Sequence, residues 1–152
     1  MTQQTLPTLG HVVFYVRNLK KSLDFYTYIV GLQHIGNIFN GKAAMLSGGS
    51  THHELCLIEV GDVAEPEQVK YIGLYHVGWK VGDSLDKLKT VYQRIIKKNI
   101  EVDGMSDHIV SQSIYCRDPD GNEIELYVDN PEINWKEDYS WMDKPVKPLS
   151  LV

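Results

Sequence analysis

Cysteine is scarce in this chain: only Cys56 and Cys116 occur in 152 residues, each inside a run that reads as a strand. Two such thiols give no disulfide framework, and a reducing cytoplasm is the expected compartment. No C-x-x-C, no G-x-G-x-x-G and no complete P-loop motif is present. Thiol exchange, Rossmann-type dinucleotide binding and a phosphate loop therefore lack support. Positive charge is also short, with 15 Lys and Arg against 20 Asp and Glu and a net charge of -5. That balance argues against a general nucleic-acid partner. No apolar run approaches the roughly 20 residues that a membrane-spanning helix needs. The N-terminal stretch MTQQTLPTLG lacks the basic and apolar segments of a secretory signal.

What the chain does have is a balanced composition, 43% hydrophobic and 23% charged, as in an ordinary globular domain with its own core. It also repeats itself. HVVFYVRNLKKSLDFY, from His11, matches HVGWKVGDSLDKLKTVY, from His76, at an offset of 65 residues. Each copy opens with His in an alternating apolar run, the mark of a half-buried strand. A cap residue follows, Asn18 or Asp83. Then comes an amphipathic helix, with Leu19, Leu23, Tyr26 and Val30 in the first copy and Leu85, Leu88, Tyr92 and Ile95 in the second. Gly31 and Asn99 stand where a left-handed helix end is expected. Three strands follow each helix, with turns at Asn40-Gly41 and Asp120-Gly121. The pattern is βαβββ twice, an α+β chain with modules at about 8–62 and 72–131. GDVAEPEQVKYIG is the expected linker. Residues 1–131 form the expected domain, and the aromatic tail 132–152 is expected to lie on the body or on a partner.

The repeat gives the polar residues a geometry. His11 corresponds to His76, and HHELCLIEV resembles NEIELYVDN, which sets Glu54 against Glu125. Two imidazoles and one or two carboxylates would then converge between the modules. Two His and one carboxylate with open positions form the ligand set of non-heme Fe(II) oxygenases. Glu123 shares a strand face with Glu125, but its place beside the turn predicts a solvent-exposed side chain. His52 is expected to point away from His53 by strand alternation, and His34 reads as a surface residue.

LGHVVFYVRNLKKSLDFYTYIVGLQ, YHVGWKV and RDPDGNEIELY together resemble the vicinal oxygen chelate superfamily of extradiol dioxygenases, glyoxalase I and bleomycin-resistance proteins. The resemblance spans about residues 8–131. It implies two βαβββ modules forming an open, U-shaped mixed sheet around a metal. The stretch DHIVSQSIYCRDPDGN is similar to that of catechol 2,3-dioxygenase-type enzymes, although Ile109 stands where Gly commonly follows the His. Many of those enzymes carry an additional pair of modules. The resemblance implies His11, His76 and Glu125 as metal ligands and His53, His108 and Tyr115 as catalytic residues. It also implies Fe(II), with Mn(II) sharing the ligand set, and a small aromatic diol and O₂ as substrates. Phe14, Trp79 and Ile114 are the expected lining. Exposed sheet edges and the aromatic tail suggest a homodimer or larger homo-oligomer.

Two other members of the superfamily offer competing expectations. Glyoxalase I would add Glu54 as a fourth ligand, take Ni(II) or Zn(II), and act on a glutathione hemithioacetal. A bleomycin-resistance protein would bind a drug without catalysis, and such proteins typically lack the triad. The adjacent residues His53 and Glu54 discriminate between the two enzymes, according to which of them faces the metal.

Overall fold

The computed structural model describes residues 7–62 and 73–152, so most of the expected linker lies outside the described residues. The first module runs β1 (Val12–Val16), α1 (Leu19–Phe25), β2 (Gln33–Ile38), β3 (Ala43–Ser47) and β4 (Leu55–Glu59). The second runs β5 (His76–Gly82), α2 (Leu85–Lys97), β6 (Val102–Asp107), β7 (Ser111–Arg117) and β8 (Glu123–Asp129). The α+β chain of two βαβββ modules is thus present. Its strands divide between two mixed sheets, ordered β1-β4-β3-β2 and β5-β8-β7-β6-β9. The last strand, β9 (Lys147–Pro148), comes from the tail and pairs with β6.

Local sequence explains the element ends. Asn18 is extended, and its side chain accepts the N–H of Lys21, closing the start of α1. A π-turn, Tyr26–Val30, continues α1 and ends at Gly31 with φ of 94°. That backbone favours glycine. The Asn40-Gly41 turn has positive φ at both residues, 53° and 83°, as a tight hairpin requires. In the second module the cap falls on Ser84, not Asp83, and makes no side-chain cap bond. Asp86 in the first turn and Arg94 and Lys97 in the last suit the dipole of α2.

The two modules share one core. Leu88, Val91 and Ile95 form the buried stripe of α2, which packs on β5, β7 and β8 and meets the π-turn of the first module. Phe14, Val16, Tyr26 and Leu57 belong to the same cluster as Ile114, Ile124 and Leu126. A polar lock crosses the junction. The Tyr26 hydroxyl donates to buried Asp118 at 2.7 Å. Arg17 N–H and the Ser22 hydroxyl donate to Asp120 at 3.0 and 3.3 Å. The RDPDGN segment is therefore a fastening between modules as well as a turn. Burial first, and Asp118 next, push the Tyr26 pKa well above its ordinary value, so the hydroxyl keeps its proton.

This packing decides which sheet faces remain open. On β1, Phe14 and Val16 are buried, while Val13 and Tyr15 are 50% and 72% exposed. On β8, Ile124, Leu126 and Val128 are buried, and Glu123, Glu125 and Tyr127 lie on the other face. The helix-covered faces hold the shared core. The opposite faces, one on each sheet, carry the chemistry-bearing residues.

Candidate functional site

The open face of the second sheet is built by strand register. Parallel pairing sets His76 beside Glu123 and Gly78 beside Glu125, and antiparallel pairing sets Tyr115 beside Glu125. Nε2 of His76 lies 3.3 Å from Oε2 of Glu125. The other oxygen of Glu125 accepts hydrogen bonds from the Ser113 hydroxyl at 2.7 Å and the Tyr115 hydroxyl at 3.0 Å. His108 Nε2 is 2.8 Å from the Tyr115 oxygen. Since the phenol donates to Glu125, His108 is the donor to the phenol in this network. A Cβ at Gly78 would come within 3.2 Å of Glu125 Oε2, so glycine here leaves room for the carboxylate.

Electrostatics fix the role of the phenol. Burial, and then Glu125, push the Tyr115 pKa up to about 12. At neutral pH Tyr115 is therefore a hydrogen-bond donor and not a base. His108 sits at the end of β6, and Ile109 after it has φ of 72°. That left-handed backbone is costly for a β-branched residue. It is held by Ile109 N–H donating to Asp107 at 2.7 Å and by Asn130 Nδ2 donating to the Ile109 carbonyl at 2.9 Å. The position where Gly commonly stands thus does call for glycine's backbone freedom.

The open face of the first sheet gathers a different set. His11 immediately precedes β1, and its ring lies 4.6 Å from that of His53, centroid to centroid. His52 also meets His53, with centroids 4.4 Å apart. The expectation that His52 points away from His53 fails because β4 begins only at Leu55, so strand alternation does not reach the two histidines. Desolvation, followed by His52 and His11, lowers the His53 pKa. The neutral ring is favoured. Glu54 turns into the 48–51 loop, where its carboxylate accepts N–H groups of Gly48, Ser50 and Thr51 at 2.7 to 2.8 Å. Desolvation acts to raise its pKa, but these N–H groups outweigh it and hold the pKa below its ordinary value.

Two further expectations change, and that for His34 holds. Glu123 is not a solvent-facing neighbour of the turn. Its side chain is only 10% exposed, and Arg117 Nη2 holds it at 2.8 Å. Phe14 and Ile114 sit in the core and Trp79 packs against it, so they face away from the polar sheet surfaces. His34 is a surface residue, bonded to Asn37 at 2.7 Å. Sequence reasoning missed Ser113 and Gly78 as contacts of Glu125; Ser113 pairs with Tyr127 and reaches Glu125 diagonally on the same face.

A divalent ion suits the His76–Glu125 pair. Two ligand atoms bound side by side at about 2.1 Å lie roughly 3 Å apart, close to the separation seen here. The pair supplies two donors only. Among the described residues, no three His, Cys, Asp or Glu side chains form a group ready to hold a metal. His11 lies with His53 on the other sheet.

Paired βαβββ modules with open polar sheet faces define a recognisable class of fold. The chain belongs to the Glyoxalase/Bleomycin resistance protein/Dioxygenase superfamily, whose profile matches residues 8–126. It is 32% identical over 130 residues to a catechol-2,3-dioxygenase of Bacillus subtilis (strain 168), a match covering 86% of this chain and 44% of that protein. It is 28% identical over 128 residues to biphenyl-2,3-diol 1,2-dioxygenase 2 of Rhodococcus globerulus, covering 82% of this chain and 64% of that one. The chain thus spans about half the length of the curated relatives it matches. Among solved structures, a glyoxalase/dioxygenase from Nostoc punctiforme superposes with a TM-score of 0.70 at 19% identity, covering 86% of this chain and 99% of that one.

Proposed function

We propose that the protein is an extradiol ring-cleaving dioxygenase that takes a small catechol-type diol and O₂. The observation that carries this reading is the Glu125 network. One carboxylate oxygen is saturated by Ser113 and Tyr115, and the other is presented beside His76 Nε2. The names of the two curated relatives support the same chemistry. His11, His76 and Glu125 would hold Fe(II), with Mn(II) accepted by the same set. A bound Fe(II) supplies an acidified substrate hydroxyl and open positions for diol and O₂.

The chain's own groups do the rest. Tyr115, kept protonated by burial, donates to substrate oxygen or to Glu125. His108 sits behind it and holds or returns a proton through the phenol. His53, neutral beside His11, acts as the acid–base group on the other side. The first and second sheets of different copies would meet face to face in a symmetric homodimer. Each site would then combine His11 and His53 of one copy with His76 and Glu125 of the other. Exposed Val13 and Tyr15 on β1 fit such a contact. β1 and β5 are both edge strands. No helix among the described residues is long and apolar enough to cross a membrane, and a cytoplasmic location completes the reading.

The test is direct. Anaerobically purified protein is loaded with Fe(II), given catechol and substituted catechols, and opened to air. A yellow ring-opened product with matching O₂ uptake, absent in Glu125→Gln, is expected. If no diol is cleaved, while Ni(II)- or Zn(II)-loaded protein isomerises the glutathione–methylglyoxal adduct, the glyoxalase reading replaces this one.

A further inference from the structure

Glu125 faces one nitrogen of His76; a second carboxylate faces the other. Nδ1 of His76 is buried and has no well-angled hydrogen bond, yet it lies 3.3 Å from Glu123 Oε1. Glu123 is not free to move toward solvent. Its Oε2 accepts from Arg117 Nη2 at 2.8 Å, and Arg117 Nε donates to Asp103 at 2.6 Å. Glu123 also raises the pKa of the exposed Tyr75. The result is a chain, Asp103–Arg117–Glu123–His76, laid along the end of the sheet and finishing at the imidazole.

We propose that Glu123 is a positioning residue: it accepts the Nδ1–H of His76 and so fixes the tautomer and ring plane that present Nε2 beside Glu125. The proposal rests on the reading of His76 and Glu125 as metal ligands. The physical reason is a division of labour between two carboxylates on one strand face. An imidazole between two carboxylates can donate from either nitrogen to either side. If Nε2 is to be a ligand, its lone pair must be free, and the ring proton must reside on Nδ1. A buried Nδ1–H requires an acceptor, and Glu123 is in place to be one. A small rotation of the ring turns the 3.3 Å approach into a bond. Arg117 matters because a carboxylate already held on one oxygen keeps the other aimed.

This assigns the Glu123/Glu125 pair that the strand pattern puts together. Glu125 is the ligand; Glu123 makes His76 a better one. Outer partners of metal-bound histidine commonly change affinity by roughly 10–100-fold when removed.

The experiment measures Zn(II) affinity by competition titration and reads the His76 tautomer by ¹⁵N-resolved NMR of the metal-free protein. Wild type is compared with Glu123→Ala, Glu123→Gln and Glu125→Gln. We expect the Nδ1–H tautomer for His76 in wild type. Zn(II) affinity should be roughly 10–100-fold weaker in Glu123→Ala. In Glu123→Gln, whose amide oxygen can still accept, the loss should be smaller and the tautomer retained. If Glu125→Gln loses Zn(II) but Glu123→Ala binds it like wild type with His76 unchanged, Glu123 is only the counter-ion of Arg117. If neither variant alters Zn(II) binding, the ligand assignment itself fails. Should Glu123→Ala not fold, Glu123→Gln decides: an Nε2–H tautomer in the wild type, or a Gln variant with lost tautomer order at wild-type affinity, overturns the proposal.

Discussion

The open faces of the two sheets come from repeated sequence, yet they are finished differently. On the second sheet the carboxylates and the phenol are committed. Glu125 is held by Ser113 and Tyr115, Tyr115 by His108, and Glu123 by Arg117. On the first sheet, His11 and His52 each make a ring contact with His53, and Glu54 serves the backbone of its own loop. A repeat therefore reproduces backbone and periodicity without reproducing chemistry. The sequence match of Glu54 to Glu125 does not survive strand register: Val12 pairs with Leu55 as Val77 pairs with Ile124, so Cys56 stands where Glu125 does, and Glu54, the counterpart of Glu123, has become a loop fastener. Under the proposed reading, one face would be a pre-arranged half-site and the other would offer imidazoles to a facing partner.

The largest effect expected from this contrast concerns how the halves meet. His11→Ala and His76→Ala should each lower activity by more than the roughly 10–100-fold typical of outer-shell losses. Mixed by co-expression, the two dead variants should regain activity if each site draws on two copies. Half the dimers are hybrids, and one of the two sites in each hybrid is intact. About a quarter of wild-type activity is therefore expected. No recovery on mixing, with mixed dimers verified by mass, would show that His11 and His76 serve the same site within one chain or serve none together.

The second effect sharpens how the modules are joined. Tyr26→Phe removes the 2.7 Å bond to Asp118, leaving a buried carboxylate with only its own turn as donor. A loss of about 1–3 kcal/mol is expected, read as a lower urea midpoint at unchanged slope. Metal affinity should hardly change, because the lock lies on the helix side of the sheets. An unchanged midpoint would mean that the shared apolar cluster alone fastens the modules.

Much of this was legible in the chain. The 65-residue offset between His11 and His76 gave the two modules, and the alternation of Ile124, Leu126 and Val128 gave the buried face of β8. Two Gly positions with positive φ, Gly31 and Gly41, were legible as breaks. What periodicity could not supply was the third dimension. The distance from His11 to His76 depends on how the two helical layers pack, which no local pattern records. Glu123 read as exposed because a turn neighbour usually is, and only cross-strand register shows Arg117 beside it. Phe14 and Ile114 were expected to line the site. Alternation puts them on the opposite, core-facing side.

The smallest effect tests whether Glu54 is the fastener described here or a fourth ligand. Its carboxylate accepts three backbone N–H groups, and Gln offers one oxygen and a clashing donor in the same place. Glu54→Gln should therefore cost roughly 1 kcal/mol of stability while leaving metal affinity near wild type. The pH dependence carries a sign. Because the folded-state pKa is lowered, Glu54 stabilises the fold above the ordinary carboxylate range, and that contribution is lost as pH falls through its folded value. The variant should thus lose less stability on acidification than wild type does. A Zn(II) affinity that falls as far in Glu54→Gln as in Glu125→Gln would put Glu54 among the ligands. The first sheet would then offer a carboxylate as well as an imidazole, giving two carboxylates and two imidazoles at one ion.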